Sequence, residues 1–261
     1  MTIAPRDLAD HFLSQGRFAF TADEASAAIA RPRKAAIEAL ARLQHRHEIV
    51  SISKGLYVAV PPEYRSWGVV PGDWFIDALM HHLDRPYYIA LLSAARLHGS
   101  SHQAPQVFQV MTTPAPIRDR DLGRVRLRFY ASRHLDEDTT ERVTVPTGYA
   151  TVSTKETTVV DLIGHYRAAG GYGNVATILG ELGELDGAEL ARVASRRGRA
   201  AVRRTGWFVE RFGAVDELEA LRQAARIDVG EPAQLDPAGP RRGEADPAWR
   251  IRLNVLVEPD S

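Results

Sequence analysis

The spacing of hydrophobic residues changes once within the first sixty residues, from that of helices to that of strands. Apolar side chains recur every three or four positions in three successive segments, which predicts three short helices. Thr21 begins the second of them, because Glu24 follows three residues later as in a capping box. After the third helix the spacing changes to that of strands, and the segments 49–52 and 56–60 flank a turn at 53–55. Three helices followed by a two-stranded ribbon is the order of a winged helix-turn-helix domain.

The third predicted helix has two different faces when its residues are placed at intervals of about 100°. Ile37, Leu40 and Leu43 fall together and are expected to face the core. The opposite face is mainly cationic and holds Arg31, Lys34, Glu38, Arg42 and His45. A cationic outer face directly before a two-stranded ribbon is typical of a DNA-recognition helix.

Prolines divide the chain after the ribbon. Pro61-Pro62 and Pro71-Gly72 cannot continue a helix or a strand, so residues 61–72 are expected to connect two domains. We therefore predict a winged helix-turn-helix DNA-binding domain at residues 1–62 and a second domain at residues 63–261.

The second domain is predicted to combine helices with a small sheet. Helical spacing covers the segments 74–83, 88–97, 155–166, 174–182, 188–196, 200–212 and 215–226. Strand patterns cover 106–112, 124–130, 149–153 and 250–257, the last of which is expected to return to the sheet. Residues 230–248 hold four prolines and three glycines and are expected to form a mobile loop. The predicted fold class is α+β, with an N-terminal winged helix-turn-helix followed by a larger mixed α/β domain.

The net charge of the chain is zero, so only the distribution of charge along the sequence is informative. Thirty-three Lys and Arg balance thirty-three Asp and Glu, which excludes a uniformly basic binder of nucleic acid or membrane. Basic residues nevertheless outnumber acidic ones by six to two in 31–54 and in 118–133, and by seven to one in 192–211. The absence of cysteine excludes disulfides, thiolate metal sites and cysteine catalysis. No apolar run has the length of a membrane span or the form of a signal peptide, so we expect a cytoplasmic location.

The basic residues of 31–54 fit the parts of a winged helix that contact DNA. Side chains at the start of a recognition helix reach base edges in the major groove, and the helix dipole and free amides at that end favour phosphate. Arg31, Arg33 and Lys34 lie at the helix start, and Lys54 lies at the tip of the wing, where it would meet the phosphate backbone. A solvated amphipathic helix is the alternative interpretation.

Two further basic groups form a possible secondary surface. In 124–129 arginine alternates with apolar residues, so a strand would place three guanidinium groups on one face. A denser helical group comprises Arg192, Arg196, Arg197, Arg199, Arg203 and Arg204. The strand group suits DNA, RNA or an acidic partner, and both groups also fit solvated faces crossed by ion pairs. The residues predicted for the secondary surface are Arg124, Arg126, Arg128, Arg196, Arg199 and Arg203.

Three patterns are reminiscent of enzymes. His98 and His102 have the spacing of helical metal ligands, but Gly99 would break the helix between them. Asp119 and Asp121 resemble the paired aspartates with which a nucleotidyltransferase holds metal, but those aspartates project from a strand, whereas these two are expected to lie in a polar run outside any strand. Ser93 lacks the glycines of a nucleophile elbow, and neither a P-loop nor a dinucleotide fingerprint occurs. We therefore predict no catalytic residue, no metal ligand and no cofactor.

Several segments of the sequence resemble the AbiEi family of antitoxins from type IV toxin-antitoxin systems. They are the end of the ribbon at Lys54-Gly55-Leu56-Tyr57, the run 88–99 (YIALLSAARLHG) leading into 102–107 (HQAPQV), the run 152–162 (VSTKETTVVDL) and the segment 249–254. The resemblance covers nearly the full chain, but the Pro-rich segment 230–248 has no counterpart in it.

The resemblance implies that the N-terminal domain binds inverted repeats in its own promoter. It also implies that the C-terminal domain supports repression and counteracts a co-encoded nucleotidyltransferase toxin, with direct contact and oligomeric state left open. The residues predicted to contact double-stranded operator DNA are Thr21, Arg31, Arg33, Lys34, Arg42, Ser53 and Lys54. The alternatives are a stand-alone winged-helix regulator without a toxin partner and a nucleotidyltransferase-like enzyme.

Overall fold

The computed structural model describes residues 3–100, 107–115, 117–135, 139–227 and 230–260. Helices and several mixed sheets share the chain, which confirms the α+β class. The chain divides into two compact units, one with residues 1–89, 105–135 and 142–151, the other with residues 90–104, 136–141 and 152–261. The domain boundary expected after residue 62 falls within the first unit and remains a prediction. No helix in the described ranges is both long and apolar enough to cross a membrane.

The first unit begins with a winged helix-turn-helix, as predicted. After a 3₁₀ turn at Pro5–Asp7 come α1 (Leu8–Ser14), β1 (Ala19–Thr21), α2 (Ala22–Ala28), α3 (Arg33–His45), β2 (Ile49–Ser53) and β3 (Leu56–Ala59). The sequence pattern did not predict β1, a short strand that pairs antiparallel with β3 and makes a three-stranded sheet in the order β1-β3-β2. Phe12 of α1 stacks on Phe20 of β1 with ring centroids 4.2 Å apart, which ties the first helix to the wing.

The buried face of α3 differs from the predicted one. Ala36, Ala39, Leu40 and Leu43 are buried, while Ile37 is 45% exposed. The prediction that Ile37 faces the core is therefore wrong. The reason is that Ala36 lies near the middle of the buried stripe, and Ile37, the next residue, lies about 100° around the helix from it. Small side chains are needed there because α3 packs closely against α2.

The segment after the wing is folded against its own unit. Two 3₁₀ turns, Pro62–Tyr64 and Gly72–Trp74, precede α4 (Ile76–His82). Val69 and Val70 between them are fully buried, and Tyr64 makes edge contacts with Trp67 and Trp74. The apolar side chains of residues 61–72 are therefore part of a core, and the connection of two domains by this segment stays a prediction.

A six-stranded sheet follows. Its strands are β4 (Tyr87–Ile89), β5 (Val107–Thr112), β6 (Arg120–Leu122), β7 (Val125–Ala131), β8 (Thr140–Val145) and β9 (Gly148–Ser153), in the order β6-β7-β5-β4-β9-β8. The prediction of one helix over 88–97 is wrong, since its first residues form β4 and pair with β5, Tyr88 opposite Met111. A short apolar run does not distinguish a buried strand from a buried helix, and here sheet pairing decides.

The second unit is mainly helical. It contains α5 (Leu91–Leu97), α6 (Lys155–Gly164), α7 (Tyr172–Glu181), α8 (Gly187–Arg197), α9 (Arg199–Phe212) and α10 (Glu219–Arg226), with a parallel pair β10 (Glu184–Leu185) and β11 (Ala214–Val215). Gly198, at φ +100°, separates α8 from α9. Helix α9 is the central element of this unit, because α6, α7, α8 and α10 all pack against it.

The Pro-rich segment forms part of a small sheet. Strands β12 (Ala233–Gln234), β13 (Glu244–Asp246) and β14 (Ile251–Leu253) pair in the order β12-β14-β13. Leu235 and Trp249 are fully buried, and Trp249 Nε1 donates a hydrogen bond to Glu210 on α9. Two expectations are therefore corrected: residues 230–248 carry short strands, and the last strand pairs with them and does not return to the large sheet.

Candidate nucleic-acid interface

The turn between α2 and α3 presents the start of the candidate recognition helix. Arg31 lies in this turn, one residue before Pro32, the N-cap of α3. The Ser26 hydroxyl donates a 2.6 Å hydrogen bond to the Arg31 carbonyl and fixes the turn. No side chain caps the first amides of α3, and the exposed Lys34 lies in the same helical turn. This end of the helix therefore combines free amides with two cationic side chains.

Arg33 connects α3 to neighbouring elements. Its Nε donates a 2.7 Å hydrogen bond to Asp23 in the first turn of α2, and the side chains are 58% and 78% exposed. A Cβ at Gly55 would lie 4.0 Å from Arg33 Nη2, so the same guanidinium also approaches the tip of the wing. Arg33 thus lies at the predicted interface, but its charge is partly balanced by an aspartate.

The wing is a tight hairpin with Lys54 at its tip. Ser53 pairs with Leu56, and Gly55, the second residue of the turn, takes the left-handed conformation at φ +77° that glycine adopts without steric cost. The Lys54 carbonyl accepts a 3.2 Å hydrogen bond from His82 Nε2, and the Gly55 carbonyl accepts one of 3.0 Å from the Ala22 amide. The wing backbone is therefore held in place while the Lys54 side chain is exposed.

Thr21 forms the predicted capping box. Its hydroxyl accepts a hydrogen bond from the Glu24 amide at 3.2 Å, and the Glu24 carboxylate accepts one from the Thr21 amide at 2.7 Å. Arg17 also pairs with this carboxylate. Burial raises the pKa of Glu24, but the hydrogen bonds from Thr21 and Arg17 outweigh that effect and leave the pKa below its ordinary value. The cap orients α2 and thereby the turn that leads to Arg31.

Arg42 lies further along the helix. Eight residues separate it from Lys34, which corresponds to about 12 Å along the helix axis. It lines a shallow cavity of about 310 Å³ together with Pro5, Arg6, Ala39, Leu43, His45 and Arg46. We call the set Arg31, Arg33, Lys34, Arg42 and Lys54 the cationic surface. Within the described part of the chain, Arg31, Lys34, Arg42 and Lys54 form no ion pair, so Arg33 alone of the five has an acidic partner.

Arg124, just before β7, and Arg126 and Arg128 on the strand form a second basic group in the same unit. Leu127 is buried and the neighbouring arginines lie on the other face, as the alternation predicts. Arg124 and Arg126 are exposed, and the Arg124 guanidinium lies 5.2 Å from the centre of the Trp67 ring. Arg128 binds Asp121 at 3.0 Å and is less exposed.

The helical arginines are largely occupied within the second unit. Arg192 pairs with Glu189, and Arg197 forms a 3.0 Å ion pair with the buried Asp161. Arg203 is 3% exposed and donates a hydrogen bond to the Glu231 carbonyl, so its assignment to a secondary basic surface is wrong. It is buried because α9 is packed on several sides. Arg196 and Arg199 are exposed near the α8–α9 junction.

The enzyme-like residues are engaged in structural contacts. His98 is nearly buried, and one ring nitrogen donates to the Ser153 carbonyl at 2.7 Å; His102 lies outside the described residues. Asp121 is on strand β6, which corrects the expectation that it lies off a strand. Both Asp119 and Asp121 face the Arg128 guanidinium, at 3.5 and 3.0 Å. In the described ranges, no three His, Asp or Glu side chains are grouped so that they could hold a metal ion.

Sequence reasoning missed three contributors to this surface. Asp23 and His82 are distant from their partners in sequence, and neither spacing follows a helical or strand period. The exposure of Ile37 would follow from the sequence only if the smaller residues Ala36 and Ala39 were assigned to the buried face in its place. Asp23 pairs with one charge of the surface, His82 holds the backbone of the wing, and Ile37 adds an apolar side chain to the exposed side of α3.

The chain is similar to known proteins in sequence and in fold. Residues 88–211 match the family model of the AbiEi antitoxin C-terminal domain. The fold is similar to the crystal structure of the RV2827C protein from Mycobacterium tuberculosis, with a TM-score of 0.69 and 14% sequence identity, over 96% of this chain and 92% of that one. At this identity the likeness concerns the fold alone. No protein of curated function matches the sequence.

Proposed function

We propose that this chain is a DNA-binding antitoxin and autorepressor of a type IV toxin-antitoxin operon, because residues 88–211 match the family model of the AbiEi antitoxin C-terminal domain. It acts in the cytoplasm against a co-encoded nucleotidyltransferase toxin, without catalysing a reaction itself. The N-terminal winged helix-turn-helix binds the operator, and the C-terminal domain counteracts the toxin.

The observation that carries the DNA-binding part is the cationic surface. Four of its five basic side chains form no ion pair in the described part of the chain, although the whole protein has no net charge. Unpaired cations on a recognition helix and a wing are available for phosphates, whose counterions they displace. Lys34 and Arg31 would contact phosphates or base edges at the helix start, and Lys54 would contact the backbone beside the groove.

Ser53 and Thr21 contribute to this interface in different ways. The Ser53 carbonyl accepts a 3.2 Å hydrogen bond from Ser51 Oγ, which shapes the wing next to Lys54. Thr21 fixes the start of α2 through its capping box. We propose that Thr21 supports the interface mainly by positioning, since its hydroxyl and amide are already bonded to Glu24.

The direct test of operator binding uses the full chain and the promoter of its own reading frame. Footprinting would locate the protected sequence, which we call the operator duplex, and fluorescence anisotropy would measure its affinity over a range of salt. Binding to two inverted half-sites with a steep salt dependence is expected. Equal affinity for the operator duplex and for unrelated DNA of the same length would contradict autorepression.

Antitoxin activity is tested separately in cells. Expression of the adjacent nucleotidyltransferase gene should arrest growth, and co-expression of this chain should restore it. The Lys34→Gln, Lys54→Gln double variant of the full chain would show whether rescue requires DNA binding. Failure of the full chain to rescue, together with intact operator binding, would favour a stand-alone winged-helix regulator. Absence of a nucleotidyltransferase gene beside this one would favour the same alternative.

The enzymatic alternative has a test of its own. In the structure the carboxylates of Asp119 and Asp121 both lie against the Arg128 guanidinium, at 3.5 and 3.0 Å. We expect purified protein to incorporate no labelled nucleotide into RNA. Incorporation that is lost on Asp119→Ala substitution would contradict the proposal that the chain is not an enzyme.

A further inference from the structure

The exposed face of α3 contains one large apolar side chain. Ile37 is 45% exposed, whereas the other branched aliphatic residues of the helix, Leu40 and Leu43, are buried. It lies one turn beyond Arg33 and one turn before the exposed Ala41, in a single row along the helix. Its Cα is about 6 Å along the axis from the helix start, within the part of a recognition helix that enters the major groove.

The neighbours of Ile37 determine what can be in contact with it. Arg33 and Lys34 lie one turn before it on the same side of the helix, and within the described residues Lys34 forms no ion pair, so the occupant of this face must be anionic. Glu38 is the acidic residue on the same face. A membrane or an apolar protein partner would need a wider apolar patch than one isoleucine. A duplex satisfies both conditions, because its phosphates meet the cations and its major groove contains isolated methyl groups.

The apolar group that DNA presents in the major groove is the 5-methyl of thymine. It is absent from the other three bases, and apolar side chains read it by direct contact. We propose that Ile37 is a specificity-determining residue that contacts a thymine methyl in the operator. This inference rests on the proposed DNA-binding function and adds to it a base preference that charge alone does not provide.

The experiment replaces thymine by uracil, which removes the methyl group and leaves base pairing intact. The full chain first selects its preferred duplex from a random library, and each thymine of that duplex is then replaced in turn. Affinities are measured for the wild type and for Ile37→Ala on every duplex. Loss of one buried methyl should weaken wild-type binding about fourfold at one position in each half-site. In Ile37→Ala the same replacement should change affinity less than about twofold.

Two further variants make the result decisive. Ile227→Ala removes an isoleucine that is 86% exposed at the end of α10, and it should retain the wild-type sensitivity to uracil. Ile37→Val keeps part of the contact and should give an intermediate sensitivity; it decides the matter if Ile37→Ala binds too weakly to measure. A wild type that binds its selected duplex but responds equally to uracil at every position would overturn the inference alone. The same holds if Ile37→Ala keeps the wild-type sensitivity. If the wild type selects no sequence, the proposed operator binding fails together with the inference.

Discussion

Asp23 limits the charge that the winged helix offers to DNA, and its removal should strengthen binding. Its carboxylate accepts a 2.7 Å hydrogen bond from Arg33 at the start of α3. DNA phosphates must compete with this carboxylate for the same guanidinium. In Asp23→Asn the arginine keeps a neutral neighbour and its charge becomes available. We therefore expect the variant to bind the operator duplex more tightly than the wild type at low salt.

The size of the effect follows from counterion release. One additional phosphate contact steepens the slope of log affinity against log salt by at most about 0.9. Between about 50 and 200 mM salt this corresponds to an extra loss of affinity of about 3.5-fold in the variant. The cost to folding is small, because the ion pair is exposed. Its loss and that of a negative charge at a helix N-terminus together destabilise the protein by about 0.5–2 kcal/mol.

The assay is anisotropy titration of the operator duplex at several salt concentrations, with thermal unfolding measured in parallel. Asp10→Asn is the matched control, since it removes an equal charge whose partner, Arg65, is outside the cationic surface. The control should leave the salt slope nearly unchanged. If Asp23→Asn binds more weakly than the wild type, or with the same slope as Asp10→Asn, Arg33 does not contact phosphate.

Two predictions concern stability. A Cβ at residue 206 would lie 2.0 Å from the Trp249 ring, so Gly206→Ala should lower the free energy of unfolding in urea by about 1–3 kcal/mol. Gly180→Ala, whose Cβ would meet its nearest neighbour at 3.6 Å, is the control and should be neutral or stabilising; equal losses in both would contradict the packing argument. The pKa of Glu24 is lowered in the folded chain, so its charge stabilises the fold above the ordinary glutamate pKa, and this contribution disappears as the pH falls through the lowered value. Glu24→Gln should therefore lower the thermal midpoint at about pH 7, and the deficit should shrink as the pH falls below the ordinary glutamate pKa; a deficit that does not change with pH would show that charge is not its cause.

The sequence predicted the winged helix well because its local signals agree. Helical spacing, the capping box at Thr21 and the turn before Gly55 each determine one element without help from distant residues. The buried face of α3 could not be predicted in the same way. Hydropathy ranks isoleucine above alanine, whereas close packing of α3 against α2 requires the smaller residue inside.

Tertiary pairing decided the features that local patterns missed. Strand β4 exists because β5 pairs with it, although its residues continue an apolar run that also fits a helix. The Pro-rich segment has the composition of a loop, yet burial of Leu235 and Trp249 holds it in a small sheet. Arg203 belongs to a basic stretch, but α9 is packed on several sides and leaves this arginine inside.

The partners of charged side chains in ion pairs could not be predicted from the sequence either. Local charge in 31–54 indicated where the candidate surface lies, but the ion pair of Arg33 with Asp23 spans ten residues and two helices. The same applies to Arg128, which pairs with Asp119 and Asp121, the two residues whose spacing resembles that of metal-binding aspartates. Knowing which cations are paired changes the expected contribution of each residue to DNA binding.

We propose above all that this protein, whose net charge is zero, binds operator DNA through Lys34 on the recognition helix and Lys54 on the wing. The most direct test of this proposal is the salt slope of operator binding for the Lys34→Gln, Lys54→Gln double variant. We predict weaker binding and a slope reduced by about 1.8, two phosphate contacts at about 0.9 each. Lys155→Gln, which changes the third lysine of the chain in the second unit, should match the wild type. A double variant with the wild-type slope would contradict the account.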